Sequence, residues 1–270
     1  MTVRMRVALK IAYDGRPFFG SQRQPNVRTV EGECIAALRA AGIIRDPSTA
    51  FFRSASRTDR GVSAVGNVIA FDTTFRPEAA VGAFNDRARG VWAWAVASVP
   101  DGFHPRHAEE RWYRYHLLKR VPLRALRRAT SLFVGRHDFR SFTSDPPQPP
   151  MAIARIDVTR DGSMQVIDLR ARSFRRAMVR RVVAAAVRCA SGEIATADLR
   201  AALRGERHDF GLVPPEPLFL MDVRYPFEMR VVIKPKTAAE WQSIEDELEL
   251  RLRFARSVRA AVRKVSKAKA

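Results

Sequence analysis

The sequence predicts an α+β protein, with two β-α-β-β-α-β units joined edge to edge in one extended, mostly antiparallel sheet and a helical tail at the end. Alternating apolar residues mark short strands, helix-period segments fall between them in the same order twice, and the composition changes abruptly at Thr237. A chain of 270 residues buries roughly three quarters of its unfolded surface, which leaves room for two compact units.

The elements follow in order. Val3, Met5, Val7, Leu9, Ile11 and Tyr13 share one face, and Arg4, Arg6 and Lys10 share the other, the pattern of a half-buried strand with a basic outer side. Thr29 is the expected cap of a helix with Val30, Cys34, Ala37, Leu38 and Ala41 at helical spacing. Glu31 and Glu33 sit near its positive end, and Gly42 follows it. Phe51-Phe52 and residues 68–71 read as strands, 77–89 as a helix and 91–99 as a strand. In the second half Tyr113, Tyr115 and Leu117 alternate along a strand and residues 126–134 read as a helix. Strands 153–159 and 164–172 pair across Arg160-Asp161-Gly162, a helix starts at Phe174, and a strand lies near 218–225. Each half is therefore ferredoxin-like. The expected division is 1–107, carrying the Asp59 loop, 108–228, and a basic helical tail at 229–270. Helices on one side of the sheet would leave an open face as the platform for a partner. Residues 145–150, rich in proline, read as a stiff exposed loop.

Charge narrows the class of partner. Lys and Arg number 48 against 28 Asp and Glu, a net charge of +20, which points to a polyanion. The opening residues alternate like a strand rather than forming the apolar core of a signal peptide, and no run is apolar enough to span a membrane. Cys34 and Cys189 fall on apolar sides of helix-like segments, too few for a disulfide framework, and no Cys/His cluster has zinc spacing. A reducing cytoplasm and no metal are the expectation. In the tail, Glu240, Glu245, Asp246, Glu247 and Glu249 precede Arg251, Arg253, Arg256, Arg259, Arg263, Lys264, Lys267 and Lys269. This order suits a helix dipole in a solvated helix fraying at 267–270, or a further contact with the polyanionic partner.

The run Arg57-Thr58-Asp59-Arg60-Gly61-Val62-Ser63-Ala64 sets one carboxylate among arginines in a turn between strands, with Gly61 supplying backbone freedom. An isolated Asp in such a turn often only caps it. Three further segments argue for chemistry. They are Tyr13-Asp14-Gly15-Arg16-Pro17-Phe18-Phe19-Gly20 with its sequel through Glu33, Phe103-His104-Pro105-Arg106 leading to Arg111-Trp112-Tyr113-Arg114-Tyr115, and Ser173-Phe174-Arg175-Arg176-Ala177-Met178-Val179-Arg180-Arg181.

In this order and spacing the four pieces resemble the tRNA pseudouridine synthase A family, over roughly Met5 to Phe227. The resemblance implies the pseudouridine synthase fold, a homodimer, and isomerisation of uridine to pseudouridine at positions 38, 39 and 40 of the tRNA anticodon stem and loop, without a cofactor. It gives Asp59 the place of the catalytic aspartate, acting covalently at C1′ or C6 or as a base in a glycal route. Arg180 stands for the basic residue paired with it, with Arg57 a second candidate, and Tyr113 for the active-site tyrosine that stacks on the extruded uracil. Tyr115 is expected in the core. Arg23, Arg60, Arg175 and Arg176 are the candidate RNA-backbone contacts, because guanidinium groups grip phosphates bidentately. Positive charge in the first turns after Ser173 opposes the helix dipole, a local conflict typical of functional sites. The chain departs from the pattern at Ser21, where Trp is common, at Ser56, where Gly is usual, and at Ser63, where bacterial members often carry His. The rival reading is a noncatalytic RNA-binding protein on the same scaffold. DNA binding through the tail rests on one segment.

Overall fold

Residues 4–268 are described by a computed structural model of the chain, so the expectations for Val3 and for Lys269 and Ala270 lie outside the described residues. The first half runs β1 (Met5–Tyr13), α1 (Val30–Ala40), β2 (Arg53–Ser54), β3 (Ser63–Thr73), α2 (Pro77–Asn85) and β4 (Val91–Val99). The second runs β5 (Glu110–Leu117), α3 (Leu123–Ser131), β6 (Gly135–His137), a 3-10 turn (Arg140–Phe142), β7 (Met151–Ile153), β8 (Arg155–Asp161), β9 (Met164–Ala171), α4 (Met178–Ala190), α5 (Thr196–Leu203) and β10 (Leu218–Arg224). A short β11 (Arg230–Val231) then pairs with β4. The chain divides into two compact units, one ending at Val231 and the other starting at Val232. The second unit contains one helix of 34 residues, α6 (Pro235–Ala268). No described helix is long and apolar enough to cross a membrane.

Nine strands form one sheet in the order β11-β4-β1-β3-β10-β5-β9-β8, with β2 also on β3, while β6 and β7 pair separately. β1 lies between β3 and β4, and β5 between β9 and β10, the arrangement the ferredoxin-like pattern requires. The halves are spliced where β3 meets β10 in parallel, Ser63 opposite Phe219 and Ala64 opposite Leu220, and the other strand pairs in the sheet are antiparallel. The splice begins a few residues after Asp59, so the joint between the halves is also the floor beneath the candidate site.

Several expectations shift for physical reasons. Arg6 is not on a solvated side of β1. It is 5% exposed, bonded to Asp72 at 2.7 Å and donating to the carbonyls of Phe103 at 2.6 Å and Phe51 at 3.2 Å. Lys10 likewise meets Asp222 at 2.6 Å. Helix α1 begins as expected, with Thr29 accepting from the Gly32 amide at 3.2 Å. Helix α3 starts earlier than 126 because Pro122 presets its first turn. Helix α4 starts at Met178 rather than Phe174, because Ala177 adopts a left-handed backbone with φ 57° that helical residues cannot continue. Arg175 and Arg176 thus lie in the loop before the helix, where the dipole argument applies only to Arg180 and Arg181. The short α5 and the β6–β7 pair carried no clear periodic signal.

Gly66 in β3 passes against β10 beside the splice, and a methyl group there would sit 2.7 Å from the Met221 carbonyl oxygen and 3.0 Å from Asp222 Oδ1. Backbone cannot yield as a flexible side chain does. Gly66→Ala should therefore lower the unfolding free energy by about 1–3 kcal/mol, read from urea denaturation. Unchanged stability would mean that the halves are not held this closely.

Candidate active site

The Asp59 loop is fixed from below by a network of buried polar groups. Tyr13, at the end of β1, meets the Thr58 hydroxyl at 2.9 Å, and Asn67 of β3 reaches Tyr13 Oη at 3.3 Å and the Ser56 carbonyl at 3.0 Å. The Asn67 side-chain oxygen accepts from the Ser56 amide at 3.2 Å. Loop 14–20 lies directly against this turn. A methyl group on Gly15 would fall 2.1 Å from the Val62 carbonyl oxygen, so only glycine permits the approach. Gly61 takes φ 84°, the left-handed value its place in the turn called for.

Three serines, at 21, 56 and 63, all brace this loop. Ser21 Oγ accepts from the Thr58 amide at 2.7 Å, Ser63 Oγ accepts from the Gly15 amide at 3.0 Å, and Ser56 Oγ accepts from Arg111 Nε at 2.9 Å. Small hydroxyls thus supply acceptors for donors that would otherwise be buried unpaired.

Above this floor opens a cleft of about 1290 Å³ whose lining includes eight arginines and two carboxylates, Asp59 and Asp145. Asp59 Oδ2 pairs with Arg180 Nη1 at 2.9 Å, joining residues 121 positions apart. The Arg180 side chain is 13% exposed and its Nε donates to the Val213 carbonyl at 2.9 Å, so the guanidinium is held from both ends. Arg57 lines the same cleft but is exposed, and among the described residues only Arg180 bridges to Asp59. Of the two expected partners of the carboxylate, the structure brings Arg180 to it and leaves Arg57 toward solvent.

Tyr113 lies in the cleft wall, 6% exposed, its ring edge-on to Phe174 with centroids 5.2 Å apart. Burial pushes its hydroxyl up to about 12, with the Arg111 charge and a hydrogen bond to Ser56 acting in the opposite direction. Tyr115, two residues on, is buried and donates to the Pro214 carbonyl at 3.2 Å. The cleft thus opens on the face of β5 that bears Arg111, Tyr113 and Tyr115, beside the start of α4. The expected open platform is on the wrong side. The other face of β5 is occupied by Trp112 and Arg114, both bonded to Asp168, at 2.6 Å and 2.9 Å, and by Arg170 lying over the Trp112 ring at 4.2 Å.

Each expected RNA-contacting arginine lines the cleft. Arg60 lies over the Phe19 ring at 4.1 Å, Arg23 and Arg176 are exposed, and Arg175 donates to the Pro149 carbonyl. Arg175 Nη1 is buried and meets no acceptor among the described residues.

The sequence reading missed Arg111. It is 7% exposed and donates to Ser56 Oγ, to the carbonyls of Ala55 and Arg106, each at 3.0 Å, and to that of Arg172. One guanidinium therefore ties the Asp59 loop to the segments before β5 and after β9. Burial lowers its pKa from the usual guanidinium value. The available signal was a cation two residues before Tyr113, in phase with the buried side of its strand. Among the described residues no group of three or more metal-ligating side chains occurs.

Two predictions follow from these buried groups. Arg111→Ala leaves four acceptors short of a donor and should cost about 1–3 kcal/mol by chemical denaturation, against no loss if solvent replaces it freely. The chain has four tyrosines, Tyr13, Tyr113, Tyr115 and Tyr225, and burial raises the pKa of each above 10.0. A raised folded value contributes stability below the unfolded pKa that disappears as the pH climbs through the folded one, here from 10.0 toward about 12 for Tyr113 and Tyr115. Phenolate absorbance should accordingly appear together with unfolding in that window. Gradual titration of an intact fold near pH 10.0 would contradict the burial.

Comparison with known proteins places the chain. A family model described as tRNA pseudouridine synthase matches residues 129–226. The tRNA pseudouridine synthase A of Thermococcus sibiricus is 44% identical over 227 residues, 82% of this chain and 85% of the relative. That of Pyrococcus furiosus is 43% identical over 227 residues, 82% and 84% of the two chains, and that of Methanococcoides burtonii 43% over 235 residues, 84% and 86%. Such identity across more than two thirds of its length, together with the Asp59 cleft, means that the chain belongs to the tRNA pseudouridine synthase A family.

Proposed function

We propose that the protein isomerises uridine to pseudouridine in tRNA, at positions 38, 39 and 40 of the anticodon stem and loop, and that it works as a cytoplasmic homodimer. The observation that carries the reading is the Asp59–Arg180 ion pair at 2.9 Å in an arginine-lined cleft beside the buried Tyr113. A protein that only bound RNA would gain nothing from a carboxylate placed among its phosphate-binding groups.

In this reaction the N1–C1′ bond breaks, the base turns, a C5–C1′ bond forms, C5 loses a proton and N1 gains one. Composition is unchanged, so no redox partner is required. Arg180 holds the Asp59 carboxylate by a charge-assisted hydrogen bond at 2.9 Å and so fixes its direction in the cleft. The carboxylate then acts as nucleophile at C1′ or C6, or as base toward the sugar. Tyr113, neutral until about pH 12, serves as a hydrogen-bond donor and stacking surface rather than as a phenolate base. Arg23, Arg57, Arg60, Arg175 and Arg176 hold the backbone around the flipped nucleotide. The unpaired Nη1 of Arg175 supports this reading, because a phosphate oxygen would supply its missing acceptor.

Asp59→Ala should reduce pseudouridine formation on unmodified tRNA by about 10²–10⁴-fold while tRNA affinity holds. Normal turnover by this variant would remove Asp59 from the mechanism. Arg175→Ala should leave the bond chemistry intact, weaken tRNA binding and flatten the plot of log affinity against log salt by about 0.7 per lost phosphate contact. An unchanged slope would take Arg175 off the RNA path.

A further inference from the structure

The helix α6 lies outside the residues matched by the family model. Its 34 residues span about 51 Å at 1.5 Å per residue. Ile244, Leu248, Leu252, Val258 and Val262 are between 37% and 59% exposed. With Trp241 and Ala255 they recur every three or four positions and, at 100° per residue, fall within about 120° of arc. Helices in water depend mainly on packing such a face rather than on propensity. This stripe calls for a cover.

Charge identifies the cover. Residues 235–250 carry five carboxylates and one lysine, whereas residues 251–268 carry seven cationic residues and no acid. An RNA or an anionic membrane would be repelled by the first half, and RNA would leave the apolar stripe in water. A second α6 in parallel would set acid against acid and base against base. A second α6 running the opposite way sets each acidic half against a basic one. We propose that α6 is a self-association surface, pairing antiparallel with α6 of a second copy of this chain.

The residues fix the register. A two-fold axis between Arg251 and Leu252 places Trp241 opposite Val262, Leu248 opposite Ala255 and Ile244 beside Val258, so the stripe covers itself from end to end. The same register sets Glu245 of one copy between Arg256 and Arg259 of the other. Arg251, the charge nearest the axis, is already bridged to Glu247 of its own helix at 2.6 Å. The contact is isologous, the closed symmetry that limits assembly to a pair at this surface. The inference is independent of the activity proposed above.

Cysteine cross-linking of the full chain in a Cys189→Ser background tests both the pairing and its direction. Leu252→Cys, near the axis, should form a disulfide-linked dimer on mild oxidation. Ile244→Cys should not link to itself, because its copy lies about 22 Å along the helix pair. Mixed with Val258→Cys, it should form a linked heterodimer. The double variant Ile244→Asp, Leu248→Asp should abolish Leu252→Cys linkage and leave pseudouridine formation intact. A dimer made by other surfaces would persist in sedimentation yet would not produce this pattern. Self-linkage of Ile244→Cys would overturn the antiparallel arrangement. Absence of all links, with tRNA affinity lost in an Arg256→Ala, Arg259→Ala, Arg263→Ala variant, would assign the helix to RNA and overturn the proposal.

Discussion

A single ion pair between the halves of the molecule sets the demands on the rest. Asp59 sits on a turn of the first half and Arg180 on a helix of the second half, and their 2.9 Å contact exists only if the two halves of the sheet are spliced in one register. The parallel pairing of β3 with β10 supplies that register, with Gly66 allowing the strands to approach. The catalytic reading then rests on geometry rather than on the Asp-Arg dipeptides that any basic protein contains. The pair is partly open to solvent, with Asp59 34% exposed, so a ligand in the cleft has access to the carboxylate.

Holding a loop at that accuracy takes buried polar contacts, because apolar packing alone leaves turns free to slide. Here Asn67, Tyr13, Ser21, Ser56 and Arg111 form a connected set beneath Thr58 and Asp59. Arg111 is the unusual member, a nearly buried cation whose hydrogen bonds go to neutral oxygens. A cation in that position also raises the potential of the cleft above it, which favours an anionic ligand. Floor and cleft therefore share one electrostatic purpose, with the serines at 21, 56 and 63 supplying hydrogen-bond acceptors in the floor.

Much of this was legible in the sequence where the signal was local. Val91–Val99 was readable to the residue, Thr29 announced the start of α1, and the Arg57–Gly61 run marked the loop at the centre of the cleft. What escaped depended on distant partners. Arg6 looks solvent-facing in strand alternation, and only Asp72, paired with it across the sheet, shows why it is buried. Arg111 resembles any surface arginine until the carbonyls that receive it are assembled. The start of α4 at Met178 is hidden from the sequence because the left-handed turn at Ala177 has no glycine to signal it. The side of the sheet that carries the cleft is not legible either, since alternation separates two faces without saying which one a loop from the other half will cover.

The central claim is that Asp59 and Arg180 act as one unit, and a double-mutant cycle on pseudouridine formation tests it most directly. Asp59→Asn, Arg180→Gln and the double variant would be compared on unmodified tRNA under single-turnover conditions. Each single change should abolish most of the rate, and the double variant should be no slower than the worse single one, because a unit already broken loses nothing more. Independent, multiplicative losses, or a near-normal rate in Arg180→Gln, would contradict the account.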